Sequence, residues 1–335
     1  MMENPVLVDV TRGERVESFH RGAFAIVDGD GRLVASAGDV EQPVFPRSAV
    51  KVFQGIPLVE TGAAAAFAFE PADLSLACAS HSGEPGHVER AAAILDRAGL
   101  DRHALECGCH WPSRQEVAFD MVRRGEEPNP LHNNCSGKHS GFLCTAVHLG
   151  EETRGYVGAD HPVQRRAKAV IEDLTGAALG PDVCGTDGCS IPTYAAPLKG
   201  FAHGFAKLVS MKNVSADRAK AGRALIEACM AHPWEMSGTG RACQAIMDLG
   251  GRKVFAKTGA EGVFCGALPD LGLGFALKID DGAGRASDAL AAAVIARALR
   301  DAEPDLAAAF DGLARKTLSN WNKIETGEIR AKRLD

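Results

Sequence analysis

The stretch from Lys253 to Asp280, KVFAKTGAEGVFCGALPDLGLGFALKID, reads as three strands in succession. The apolar runs Lys253–Lys257, Gly262–Leu268 and Leu271–Asp280 are separated by short turns containing glycine, the punctuation of neighbouring antiparallel strands. A helix is expected next, from about Ala286 to Arg300. Near the other chain end, residues 16–37 carry a hairpin pattern. Phe24 and Ile26, then Leu33 and Val34, flank the turn-forming run Asp28-Gly29-Asp30-Gly31. Between these ends the periodicity is helical. Pro46 precedes a helix from Arg47 to about Thr61, closed by Gly62, and further helices are expected near 85–98, 141–149, 162–174 and 216–231. Leu74–Ala79 is a short apolar run that opens into a polar loop. Strands at both ends around a helical middle imply an α+β fold, with one mainly antiparallel sheet built from the two chain ends and a helical region over about 62–250. No repeat, low-complexity tract or long linker interrupts the chain, so residues 1–335 read as a single compact unit.

Bulk composition narrows the function class. The 335 residues are 46% hydrophobic and 24% charged, as in an ordinary globular protein, with a net charge of −6. No basic run is present, which argues against a nucleic-acid partner. The opening MMENPVLVDVTRGER has neither a basic leader nor a long apolar run, and no stretch has the length of a spanning helix. The expectation is a cytoplasmic protein with no membrane partner. Its ten cysteines would then meet a reducing compartment. Cys78, Cys144, Cys229, Cys243 and Cys265 lie among apolar neighbours and read as buried small hydrophobes. Cys107-Gly108-Cys109 has no second pair at zinc-finger spacing, so a structural role is the default there too.

Three segments carry chemistry. In the first, Arg47-Ser48-Ala49-Val50-Lys51, Pro46 sets a helix start, and residues three apart on a helix share a face, so Lys51 can reach the Ser48 hydroxyl. A helix N-terminus favours the negative charge of an alkoxide or oxyanion. For neutral lysine to take the serine proton, its pKa must fall from ~10.4 toward ~7–8, a shift worth roughly 4 kcal/mol. A capping serine beside a solvated lysine is the plainer reading of this motif taken alone. The second is Lys257-Thr258-Gly259 at a strand end. A Ser-x-x-Lys helix start together with Lys-Thr-Gly on a strand is the pairing of penicillin-interacting serine enzymes, and Ser80-His81-Ser82-Gly83 could supply a middle element. The third joins His132–His139, HNNCSGKH, to Gly185–Ser190, GTDGCS. Cys135 and Cys189 sit in polar, glycine-rich loops, where two thiolates could hold a borderline cation such as zinc. On spacing alone the third ligand would be His139.

Together these segments resemble the rhizobial-type L-asparaginases, the class 3 or asparaginase II family. The resemblance runs from roughly Val6 to Arg330. It rests on PRSAVKVFQ at 46–54, CASHSGEPGHV at 78–88, HNNCSGKHSGFL at 132–143, GTDGCSIP at 185–192 and AKTGAEGV at 256–263, all in order. It implies a serine β-lactamase and glutaminase-like fold, a homodimer, and hydrolysis of the small molecule L-asparagine to aspartate and ammonia. It further implies two serine–lysine tandems, Ser48–Lys51 and Ser80–Lys257, and a Zn2+ site formed by Cys135, Lys138 and Cys189. Here the resemblance departs from the spacing argument, and His139 becomes a substrate contact beside the metal. Asp187 would grip the α-ammonium and Arg47 the α-carboxylate, an ordinary ion pair being the rival reading for each. Either serine could be the nucleophile. Two alternatives share these motifs: a penicillin-binding or β-lactamase-like serine hydrolase, and a non-catalytic, zinc-stabilised binding protein.

Overall fold

The structure is a computed structural model that describes residues 3–334. The chain divides into two compact units. One comprises Met1–Val50, Ala195–Asn213 and Leu249–Asp335, and the other Lys51–Tyr194 and Val214–Asp248.

The first unit holds an eight-stranded sheet. Its strands are β1 (Val6–Arg12), β2 (Arg15–Val27), β3 (Leu33–Ala37), β4 (Phe255–Thr258), β5 (Val263–Leu268), β6 (Leu273–Ile279), β7 (Arg315–Ser319) and β8 (Glu325–Ala331). They run in the order β7-β8-β1-β2-β6-β5-β4, with β3 also on β2, and every pairing is antiparallel. The sheet is thus assembled from both chain ends, as expected. The 13-residue β2 is its hub, with Phe19 opposite Asp9 of β1 and Ile26 opposite Phe275 of β6.

Side chains alternate faces along a strand, so residues in register form rows. Phe255, Ala267, Gly274 and Val27 share one row. The helix Leu198–Ser210 lies so close to it that a Cβ on Gly274 would sit 2.1 Å from the Ala202 carbonyl, while Phe205 meets Phe255 at 5.7 Å between ring centroids. The alternate row, including Phe275 and Ala256, is buried as well, and the helix Gly284–Leu299 packs across β1, β2, β5, β6 and β8. Both central faces are covered, which is why β5 and β6 are apolar almost throughout.

The second unit is mainly helical, and its centre is the helix Ser136–His148. Every residue from Ser136 to Ala146 is buried. Small residues let it sink among its neighbours. A Cβ on Gly137 would lie 2.3 Å from the Leu76 carbonyl, and one on Gly141 would lie 3.2 Å from a Leu58 methyl. The helices Lys51–Glu60, Pro71–Ala77 and Pro85–Arg97 pack around it. Leu58, Leu76, Ile94, Leu95, Phe142 and Leu143 form part of the core. The helices expected near 85–98, 162–174 and 216–231 appear as Pro85–Arg97, Pro162–Thr175 and Ala216–Ala231.

The apolar run Leu74–Ala79 begins in the helix Pro71–Ala77, and the polar loop that follows it is enclosed: Ser80, His81 and Ser82 are all buried. The five cysteines read as core filler are all buried, as is Cys107, whereas Cys109 is exposed. Among the described residues no helix is long and apolar enough to cross a membrane.

Candidate functional site

In the first unit the Ser48 segment is a 3-10 turn, Arg47–Val50. Ser48 and Arg47 are half-buried, and Arg47 takes φ +52°, a left-handed conformation uncommon for a residue with a side chain. Such strain persists where surrounding structure over-determines it, often at functional sites. Lys257 lies on β4, fully buried, and its Nζ donates to the Thr258 carbonyl at 2.8 Å. Beyond it, the Gly259 N–H donates to the Val263 carbonyl at 2.7 Å, closing a turn through the left-handed Glu261 and Gly262. A Cβ on Gly259 would lie 2.5 Å from the Pro46 carbonyl and 3.2 Å from the Ala49 nitrogen. The end of the Lys-Thr-Gly strand therefore lies against the backbone of the Ser48 turn. Only glycine permits that approach, so the two motifs paired in the sequence are paired in space.

From this turn the chain runs directly into the helix Lys51–Glu60 of the second unit. Lys51 is 1% exposed. Its Nζ donates to the Ala79 carbonyl, to Ser80 Oγ at 2.9 Å and to Cys135 Sγ at 3.1 Å. Three acceptors match the three N–H bonds of an ammonium. Of the three, a carbonyl and a thiolate only accept, while the Ser80 hydroxyl can also donate to a neutral amine. Lys51 thus meets the serine that the family resemblance pairs with Lys257. Within this unit the lysine of one tandem is joined to the serine of the other.

Ser80 is carried on a buried, irregular segment. His81 within it bridges outward: its Nδ1 accepts from the Gly83 N–H at 3.1 Å, so Nε2 donates to Ser136 Oγ at 2.9 Å, and Ser136 donates in turn to the Leu131 carbonyl. Burial pushes the His81 imidazole well below its ordinary pKa, which keeps it neutral and suits this arrangement.

Cys135 caps the N-terminus of the helix Ser136–His148, and Cys189 sits on the turn between the strands Cys184–Thr186 and Pro192–Tyr194. The two sulfurs share a hydrogen bond, and Lys138 Nζ donates to Cys189 Sγ at 3.1 Å. The Cys189 hydrogen bond, opposed by burial and helped by Lys51 and Lys138, holds Cys135 well below the usual thiol range. Donating that proton, and being buried, raises Cys189. Burial presses Lys138 down, but attraction to the sulfurs of Cys189 and Cys135, including the hydrogen bond to Cys189, outweighs it, and its pKa is raised.

Among the described residues no group of three or more His, Cys, Asp or Glu side chains is placed to hold a metal. Cys135 and Cys189 with Lys138 are nevertheless a converging set of two sulfurs and one amine, all buried, and such soft and borderline donors fit zinc. His139, the third ligand on spacing alone, is buried on the same helix as Lys138. Its Nδ1 is taken by the Tyr156 hydroxyl at 2.7 Å, and that hydroxyl also accepts the Glu106 N–H at 2.9 Å. With Tyr156 donating, His139 keeps its proton on Nε2, a buried group with no hydrogen-bond partner among the described residues. Burial, then Lys138 and Lys51, push the ring well below its ordinary pKa, so it is neutral. Asp187 lies half-buried on the Cys189 turn, where its Oδ1 accepts the Gly188 N–H at 2.8 Å.

Sequence reasoning missed Glu84, Arg114, Thr239 and Tyr156. Glu84 stood inside the quoted segment CASHSGEPGHV, but only the structure shows where its carboxylate turns.

The family model described as L-asparaginase II matches residues 8–331. No curated protein matches the chain. Among solved structures, a β-lactamase from Mycobacterium bovis is similar at 16% identity and a TM-score of 0.41, over 84% of this chain and 94% of that one. A structure of Mglu is similar at 18% identity and a TM-score of 0.38, over 85% of this chain and 67% of that one.

Proposed function

The chain belongs to the L-asparaginase II family, and we propose that it hydrolyses L-asparagine to L-aspartate and ammonia through a serine–lysine mechanism. The observation that carries the reading is the buried Lys51, whose amine lies 2.9 Å from Ser80 Oγ in a chain matched to this family almost end to end.

Ser48 Oγ attacks the side-chain amide carbon as neutral Lys51, the next residue but two, takes its proton. N–H groups at the helix start stabilise the oxyanion. Lys51 returns the proton to the departing nitrogen, ammonia leaves, and water hydrolyses the β-aspartyl ester to aspartate and free Ser48. Ser80 and Lys257 relay protons and keep Lys51 neutral. The Lys51–Ser80 hydrogen bond favours one variation, in which Ser80 is the nucleophile and Ser48 serves the relay.

Asp187 grips the substrate's α-ammonium, Arg47 its α-carboxylate, and the Nε2–H of His139 offers a further donor to substrate. Cys135, Lys138 and Cys189 would hold zinc, which would supply a fixed positive charge that orients the substrate. Homodimer formation and a cytoplasmic setting complete the proposal, and both rest on the resemblance and the sequence.

Side-by-side assays of ammonia release test the reading. An anchor on the α-groups fixes where the amide carbon falls, and glutamine's extra methylene displaces it. Misplacement of about 1 Å can cost ~100-fold in rate, so asparagine should be preferred at least ~10-fold in kcat/KM, mainly through kcat. Equal kcat/KM for both amides would make this a general amino-acid amidase. Turnover of a chromogenic cephalosporin without ammonia release from asparagine would favour the β-lactamase-like alternative. No hydrolysis of any amide, with unfolding on zinc removal, would favour the binding protein.

A further inference from the structure

The segment Cys78–Glu84 is buried yet is neither helix nor strand, so its backbone must find partners elsewhere. The Ser80 N–H donates to the Met236 carbonyl at 3.0 Å and the His81 N–H to the Asn134 carbonyl at 3.1 Å, while the Ser82 carbonyl accepts the Ser113 N–H at 3.0 Å. At its end stands Glu84, the N-cap residue of the helix Pro85–Arg97. Side chains of Ser, Thr, Asp or Asn at this position ordinarily accept from the helix's first N–H groups, whereas that of Glu84 makes no capping bond.

Its carboxylate turns back and across instead. It accepts from Ser82 Oγ at 2.6 Å, from the Thr239 N–H at 2.8 Å, from Thr239 Oγ1 at 2.9 Å and from Arg114 Nη1 at 3.0 Å. Met236 and Thr239 are near neighbours, so the Ser80 segment is tied to one short stretch twice: by backbone at Ser80 and by the carboxylate at Glu84. Gly238 makes the approach possible. Its φ is +99°, and a Cβ there would fall 2.0 Å from Ser82 Oγ. Lys51 donates both to the Ala79 carbonyl and to Ser80 Oγ, so any slip of the segment changes the geometry at the lysine.

We propose that Glu84 is a positioning residue for the serine–lysine chemistry: by clamping Ser82, Thr239 and Arg114 it holds Ser80 Oγ in register with Lys51 and so sets the turnover rate without touching substrate. The inference rests on the asparaginase reading and adds to it a residue outside the reacting groups. A purely structural role would lower stability and leave the kinetic constants of the folded fraction alone. A positioning role separates kcat from KM, because the groups that bind asparagine are elsewhere.

The test measures ammonia release from L-asparagine by the full chain, with kcat referred to folded protein. Glu84→Gln keeps the shape but places an NH2 group where the Thr239 and Arg114 donors need an acceptor. Its kcat should fall ~10- to 100-fold with KM within about threefold of wild type. Thr239→Val, which removes one donor, should lower kcat several-fold, and Thr239→Ser, which restores the hydroxyl, should recover it. If Glu84→Gln does not fold, the Thr239 pair decides. An active wild type whose Glu84→Gln, or whose Thr239→Val, keeps full kcat overturns the clamp. A wild type that releases no ammonia overturns the asparaginase reading, and the clamp's role in turnover falls with it.

Discussion

Three lysines carry the account, and each is buried against different partners. Lys51 meets a carbonyl, a hydroxyl and a sulfur, Lys257 a carbonyl of its own strand, and Lys138 a sulfur. Long charged side chains are seldom fully buried unless paired, so this concentration is itself a sign of a site. Lys138 lies beside Cys189 and Cys135, whose attraction raises its pKa against burial, and a metal there would have to displace its proton. Elemental analysis should therefore find about one zinc per chain, retained less well as pH falls. Replacing Cys135 and Cys189 together by serine should remove it and weaken asparagine binding. Metal retained at full occupancy by the double variant would place it elsewhere. Most of these residues were legible in the sequence, because Ser-x-x-Lys, Lys-Thr-Gly and the two cysteine loops keep their spacing whatever the tertiary structure. The contact of Lys51 with Ser80 was not. Helical spacing points to Ser48, but the contact with Ser80 arises from packing of a distant segment, which no periodicity encodes.

At the scale of elements, close backbone approaches position the site. Gly259 is one, and the prediction is direct: Gly259→Ala adds a methyl group 2.5 Å from the Pro46 carbonyl, which cannot move without moving the Ser48 turn. Overpacking of this kind costs about 1–3 kcal/mol, and a shift of about 1 Å at the nucleophile should lower kcat by up to ~100-fold. A Gly259→Ala variant with wild-type stability and kcat would show that the strand end does not hold the turn.

The Glu84 segment makes a separate prediction about acid. Burial opposes ionisation of Glu84, but hydrogen bonds from Ser82, Thr239 and Arg114 prevail and hold its pKa at about 2, from an ordinary 4.5. A carboxyl depressed on folding contributes stability that is fully present above its unfolded pKa and is lost as pH falls through its folded one. That contribution is on the order of 3 kcal/mol at neutral pH. The Tm difference between wild type and Glu84→Gln should be constant above about pH 5 and shrink as pH falls toward 2. A gap that widens in acid would contradict the assignment.

The elements that sequence reading missed include a glycine-bearing helix and two mostly polar strands. The helix Leu198–Ser210 carries Gly200 and Gly204, which weaken helix propensity yet suit a helix pressed against Gly274. The strand Arg315–Ser319 lies at the sheet's edge, where a strand needs little apolar patterning, and Glu325–Ala331, paired between it and β1, is mostly polar too.

Across the whole chain, the family match spans 8–331 and so includes both units, one bearing Arg47, Ser48 and Lys257, the other Lys51, Ser80, His139, Asp187 and the sulfur–lysine cluster. The sheet built from both chain ends was legible because hairpins and glycine turns are local signals. The interleaving of the two units along the sequence was not, since no long linker or repeat marks where the chain passes from one to the other. The central claim is that asparagine is cleaved through an ester on Ser48. Acid quenching of wild-type enzyme during turnover of L-asparagine, followed by peptide mass analysis, tests it most directly. The account predicts an aspartyl adduct on the peptide containing Ser48, absent from Ser48→Ala and retained, with slowed turnover, in Ser80→Ala. An adduct on Ser80, or turnover of Ser48→Ala within ~10-fold of wild type, would contradict it.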